Sequence, residues 1–166
     1  CSSDLKNSGR NVNGMQKIRK IDLKENRAFC ILPFLHLHVN EKHLIKPCCL
    51  GQEQGIKKYT KDFDFINDPD MQDIREKMIR GERVDHCSRC YALEDSGTWS
   101  SRIDESSLWI DKLQITSYED IQVSARYYDI RNDNLCNLSC RMCNPQFSSQ
   151  LESEYKTIGW AYPSFE

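Results

Sequence analysis

The sequence contains no run of about 18 apolar residues, the length needed for a helix that crosses a bilayer, and its opening stretch, CSSDLKNSGRNVNG, lacks the apolar centre of a secretory signal. Neither a membrane span nor export is expected. Charge of one sign is also lacking. With 23 Lys and Arg against 25 Asp and Glu, the formal net charge is -2 and the pI about 6.1, which encodes no global attraction to nucleic acid or to an anionic membrane. Hydrophobic residues make up only 39% of the chain and the mean hydropathy is -0.69. A polar, cytoplasmic chain follows, its 166 residues enough for one domain or two small ones.

Cysteine is what the chain has in quantity. Nine are present, and without an export signal such clusters read as metal or cluster ligands more readily than as disulfides; an odd total also fits poorly with complete pairing. Their spacing is organised. CNLSCRMC places Cys136, Cys140 and Cys143 in C-x3-C-x2-C order, and VDHCSRC places Cys87 and Cys90 in C-x2-C order. Cys30 and the Cys48-Cys49 pair flank two apolar runs, while Cys1 stands alone in a polar lead and receives no role.

Three ligands in eight residues leave one coordination position open, whereas a closed structural site takes four. No histidine follows Cys143, so a zinc knuckle would need a fourth ligand from upstream. The stretch RYYDIRNDN before the loop has strand character, with Tyr128 and Ile130 on one face and Tyr127 and Asp129 on the other. Both tyrosines read as buried structural residues, and Asp129 and Arg131 as either substrate contacts or an ion pair. After the loop, Ser149-x-x-Glu152 reads as a capping box. It opens a helix whose Leu151, Tyr155 and Ile158 share a face and which Gly159 ends.

The order and spacing of Cys136, Cys140 and Cys143 resemble the signature of the radical S-adenosylmethionine (SAM) superfamily. The resemblance implies that these three cysteines hold a 4Fe-4S cluster whose open iron chelates SAM, with Met142 near the adenine. It also implies reductive cleavage of SAM to a 5'-deoxyadenosyl radical that abstracts hydrogen from a peptide or small-molecule substrate. The electron would come from a flavodoxin- or ferredoxin-type reductant. Strand, ligand loop and helix would then be the first unit of a partial (β/α)6 barrel. Six units need roughly 190 residues, scaled from the eight-unit barrel, and no Gly-Gly-Glu run is present, so both ends read as cut and the barrel as truncated.

The other cysteines belong to the preceding segment. From Ile31 to Val39 the sequence ILPFLHLHV reads as a period-two strand with one buried face. A turn at Asn40-Glu41-Lys42 and the second short strand of HLIKPCCL complete a β-hairpin, with Cys30 and Cys48 at its adjacent outer ends. His36 and His38 share a face and read as a partly exposed, hydrogen-bonded pair outside the site; His43 in the turn has less support still. After a loop, FDFINDPDMQDIREKMIRGE reads as a helix from an Asp68 N-cap and Pro69 to Gly81, with Met71, Ile74 and Met78 as its apolar stripe. Cys87 and Cys90, with Cys30 and either Cys48 or Cys49, make a closed four-cysteine set that suits zinc or an iron-sulfur cluster.

That arrangement resembles the auxiliary-cluster domains of radical SAM enzymes called SPASM or, in the shorter form, twitch, although here it precedes the three-cysteine motif. The resemblance implies that Cys30, Cys48, Cys87 and Cys90 hold a second Fe-S cluster, with Cys49 a buried neighbour. Tyr91 to Leu113 reads as a helix with a weak spot at Ser96-Gly97, turning Trp99, Ile103 and Leu108 towards the core. The expected organisation is α/β: a polar tail over 1–27, a small α+β cysteine-rich domain with a hairpin and helices over 28–114, and the start of the barrel over 115–166. Two other classes fit the same thiolates, a non-catalytic iron-sulfur electron-transfer module and a zinc-binding interaction protein.

Overall fold

Pro33 decides how the first element begins. With its φ already suited to a helix, it sits in the first turn of the short helix α1, Leu32–Leu35, where the alternating pattern predicts strand. Only the second half of that run is extended, as β1, His36–Val39. The predicted single buried face is also corrected, because all four residues of β1 are buried. In the computed structural model, which describes residues 20–52 and 55–160, β1 is an inner strand covered on both sides. Cys1, most of the expected tail and the last residues of WAYPSFE lie outside the described residues.

Four strands form one mixed sheet in the order β3-β2-β1-β4. The expected turn after β1 forms, and the side-chain oxygen of Asn40 accepts from the amides of Lys42 and Leu44 at 3.1 and 2.8 Å. Strand β2, Leu44–Lys46, then runs antiparallel to β1 with Val39 opposite Ile45, and β3, Lys57–Lys58, pairs antiparallel with β2. The fourth strand, β4, Tyr127–Ile130, pairs parallel with β1, setting His36 against Tyr127 and His38 against Asp129. Tyr127, Tyr128 and Ile130 are all exposed. The expectation of two buried tyrosines is thereby overturned, since β4 is an edge strand that nothing among the described residues covers from outside.

Alternation along β1 separates two environments. Leu37 and Val39 join Ile45, Phe65 and Met71 in one apolar cluster, while His36 and His38 face the opposite way. Helix α2, Pro69–Arg80, supplies Met71. Its ends are the predicted ones: Asp68 accepts from the amides of Asp70 and Met71, and Gly81 takes the left-handed conformation at φ 81°. Met78 and Ile74 reach a second cluster with Phe29, Ile31, Leu35 and Tyr91.

The single helix predicted over Tyr91 to Leu113 is instead two, α3, Ser88–Asp95, and α4, Ser101–Leu113. Gly97, at φ 80°, makes the break at the weak spot expected there. Trp99 and Leu108 are exposed and Ile103 is half-buried, contrary to the predicted core face; Arg102 and Ser106 point inward instead. The reason is polar. Arg102 Nε donates to Glu94 Oε1 at 2.7 Å and its Nη1 to the Phe29 carbonyl at 2.6 Å, both buried, so an ion pair joins α3 to α4. Helix α5, Ser149–Thr157, is capped by Ser148, whose hydroxyl accepts from Leu151 N, one residue before the predicted cap. Leu151 is buried as predicted, Tyr155 is half-buried, and Ile158 is exposed beyond the helix end.

Replacing Arg102 by Leu leaves Glu94 as an uncompensated buried charge and is expected to cost about 3–5 kcal/mol of stability. The double variant E94L/R102L is expected to lose less than R102L alone. Urea denaturation followed by circular dichroism measures both.

Candidate metal centre

Four cysteines arrive at one cavity from four pieces of chain. Cys30 lies between the buried Phe29 and Ile31 immediately before α1, and Cys48 follows β2 after Pro47. Cys87 ends a 3-10 turn, Asp85–Cys87, and Cys90 lies in the first turn of α3. All four are buried free thiols. They line a cavity of about 220 Å³ together with His36 and Arg102. The hairpin and the C-x2-C turn thus supply one shared set of donors.

Burial is the main influence on these thiols. It pushes Cys30 up to about 11 and Cys48, with a further contribution from Cys30, up to about 12. Cys87 is raised by burial and then by Cys30, Cys48 and Cys90, and Cys90 is raised chiefly by burial. Four mutually repelling thiolates in a buried cavity are costly unless a cation binds them, and loading such a site releases protons. Cys49 differs. It is exposed at the cavity rim, not buried as predicted, in the turn that Gly51 N closes onto Cys48 O at 3.0 Å, and Lys46 Nζ donates to its carbonyl at 3.4 Å.

The other three predicted ligands lie on the loop between β4 and α5, and none of them lines the cavity. The first turn of α5 holds the loop. Ser149 N donates to Asn134 O at 2.8 Å, Gln150 N to Cys136 O at 3.1 Å, and Cys136 N to Ser149 Oγ at 3.1 Å. Ser148 Oγ donates to Leu138 O at 2.9 Å, and Cys143 N closes a turn onto Cys140 O at 3.0 Å. Cys136 and Cys143 are half-buried and Cys140 is exposed. Met142, the residue predicted to lie near an adenine, is 99% exposed.

The sequence reading missed a third group. His36 and His38 are fully buried, not partly exposed: the Tyr127 ring of β4 stacks on His36, Asp129 lies against His38, and His36 lines the wall of the cysteine cavity. His38 Nδ1 lies 2.9 Å from Asp129 Oδ2, and Arg131 Nε donates to Asp129 Oδ1 at 3.3 Å, so Asp129 and Arg131 do form an ion pair. His36 stacks on Tyr127 with ring centres 4.3 Å apart, and neither of its ring nitrogens has a hydrogen-bond partner. Burial, helped by His38, lowers the His36 imidazole to about 4. Burial lowers His38 as well, against the pull of Asp129. Asp129 is itself lowered, because Arg131 and His38 together outweigh its burial. The signal available in sequence was the His-Leu-His spacing; its partner Asp129 lies on a strand whose pairing no local pattern reveals.

Burial and the raised thiols together predict an order of reaction. In the metal-free chain at neutral pH, iodoacetamide should label Cys49 and Cys140 well before Cys30, Cys48, Cys87 and Cys90, since both reagent access and thiolate are scarce in the cavity. Peptide mass spectrometry over a time course reads this order, and labelling of the four cavity cysteines as fast as Cys140 would contradict it.

The described helices include none long and apolar enough to cross a membrane. Comparison of the chain with known protein families, with curated proteins and with solved structures found no match.

Proposed function

We propose that this chain belongs to a radical SAM enzyme that also carries an auxiliary iron-sulfur cluster. The observation that carries this reading is the division of its cysteines. Four buried thiols converge on one cavity, and three more lie on a solvent-facing loop between a strand and a helix. A closed set of four and an open set of three are the two donor sets that such an enzyme requires. When bound at the open set, a 4Fe-4S cluster supplies the electron that cleaves SAM to methionine and a 5'-deoxyadenosyl radical, which takes hydrogen from a peptide or small-molecule substrate.

The residues of the chain fit that assignment. Cys136, Cys140 and Cys143 would hold the SAM-binding cluster, on a loop that the serines at the start of α5 brace by backbone hydrogen bonds. Met142 projects beside them into solvent, available to contact an adenine. Cys30, Cys48, Cys87 and Cys90 would hold the auxiliary cluster. A closed set of four thiolates suits an iron-sulfur cluster as well as zinc. The reductant would be a flavodoxin- or ferredoxin-type protein.

Anaerobic reconstitution of the full chain with iron and sulfide tests the reading. The wild type should turn brown, and the EPR signal of its reduced form should change when SAM is added. C136A/C140A/C143A should keep part of the iron and lose the SAM response; C87S/C90S should keep the response and lose the remaining iron. A colourless protein that takes up only zinc would overturn the assignment. A brown protein indifferent to SAM would identify an electron-transfer module instead.

A further inference from the structure

We infer that His36, His38 and Asp129 form a second kind of metal site, one that takes a single divalent first-row transition ion through nitrogen and oxygen donors. Three independent features meet there. The ligand atoms of the three residues all lie within 4.8 Å of one another, and this is the one such group of three or more among the described residues. Two of the residues alternate along β1 and the third stands directly opposite on β4, so all three project from one face of the sheet. His36, fully buried and on the wall of the cysteine cavity, has no hydrogen-bond partner at either ring nitrogen. A buried polar group without a partner is costly, and a bound ion would accept the lone pair that the protein leaves unused.

The donor set defines the ligand class. Two imidazoles and one carboxylate suit zinc, iron or cobalt better than calcium or magnesium, and three protein ligands leave positions open for water or another small ligand. Ligand bonds of about 2.0–2.2 Å bring neighbouring donors to within roughly 3–3.5 Å. The 2.9 Å separation of His38 Nδ1 and Asp129 Oδ2 is already that close, so only the His36 ring has far to move. The supporting contacts are in place: Tyr127 stacks on His36, and Arg131 holds Asp129 through Nε to Oδ1 and Nη2 to Oδ2, both at 3.3 Å, so the Nη2 contact would give way when Oδ2 takes the ion. Arg131 and the nearby Lys46 oppose the incoming charge, which limits affinity but leaves the donor geometry intact. His36 also lines the cavity of Cys30, Cys48, Cys87 and Cys90, so an ion here would sit beside whatever those thiolates hold.

Cobalt(II) separates the two kinds of site, because thiolate ligands give a sulfur-to-metal charge-transfer absorption and nitrogen-oxygen ligands give only d–d bands. Titration of the metal-free full chain should reveal one Co²⁺ per chain bound without charge transfer, in the wild type and equally in C87S/C90S. H36Q and D129N should each bind that ion at least about tenfold more weakly, the lower end of what disturbing a metal site costs, with far-UV circular dichroism unchanged. H38Q provides a third variant should either fail to fold. Wild-type binding that shows thiolate charge transfer alone, or a nitrogen-oxygen component that survives in the folded variants, would overturn the inference. Neither result bears on the iron-sulfur reading, whose ligands are all cysteines.

Discussion

The parallel pairing of β4 with β1 is the contact on which the arrangement depends. Without it, His36 would lose the stacked Tyr127 ring and His38 its Asp129 partner, and β1 would be an edge strand. With it, β1 becomes an inner strand whose two faces do different work. Leu37 and Val39 anchor the sheet to Phe65 and Met71, and the histidine face closes over polar chemistry beside the cysteine cavity. The same pairing launches the loop of Cys136, Cys140 and Cys143 from a fixed strand end, so it joins a local hairpin to residues about ninety positions later in the chain.

A second constraint acts on the opposite wall. The cavity is lined by Arg102 as well as by thiols, and the guanidinium is held by Glu94 and by the carbonyl of Phe29, next to Cys30. A fixed positive charge near four potential thiolates moderates their mutual repulsion, and its effect is visible at Cys30, where Arg102 opposes the upward push of burial. The ion pair therefore joins α3 to α4 and also brings a cation to the place where negative charge would accumulate. This accounts for a helix face carrying Arg and Ser where an apolar stripe would ordinarily be.

Much of the architecture could be read from local signals. Asp68, Pro69 and Gly81 mark both ends of α2 because capping chemistry acts over three or four residues, and the cysteine spacings grouped Cys30 and the Cys48-Cys49 pair with Cys87 and Cys90, all of which line one cavity. What escaped was tertiary. Alternation in ILPFLHLHV suggested one buried face, but Pro33 began a helical turn, and the histidine face is buried against Tyr127 and the cysteine cavity. The helix from Tyr91 to Leu113 broke at its expected weak spot, but its apolar Trp99 and Leu108 face outward because Arg102 claims the inward position. The His36, His38 and Asp129 group was invisible for the same reason, since a parallel strand pair between distant segments leaves no mark in either one.

The two margins of the sheet are not alike. At one, β3 consists of two lysines, and charge of this kind discourages any further strand from joining. At the other, β4 offers Tyr128 and Ile130 to solvent, and beyond it no strand among the described residues takes up its outward amides and carbonyls. Lateral growth of this sheet is consequently directional: a newcomer meets repulsion beside β3 and an unguarded, apolar seam beside β4.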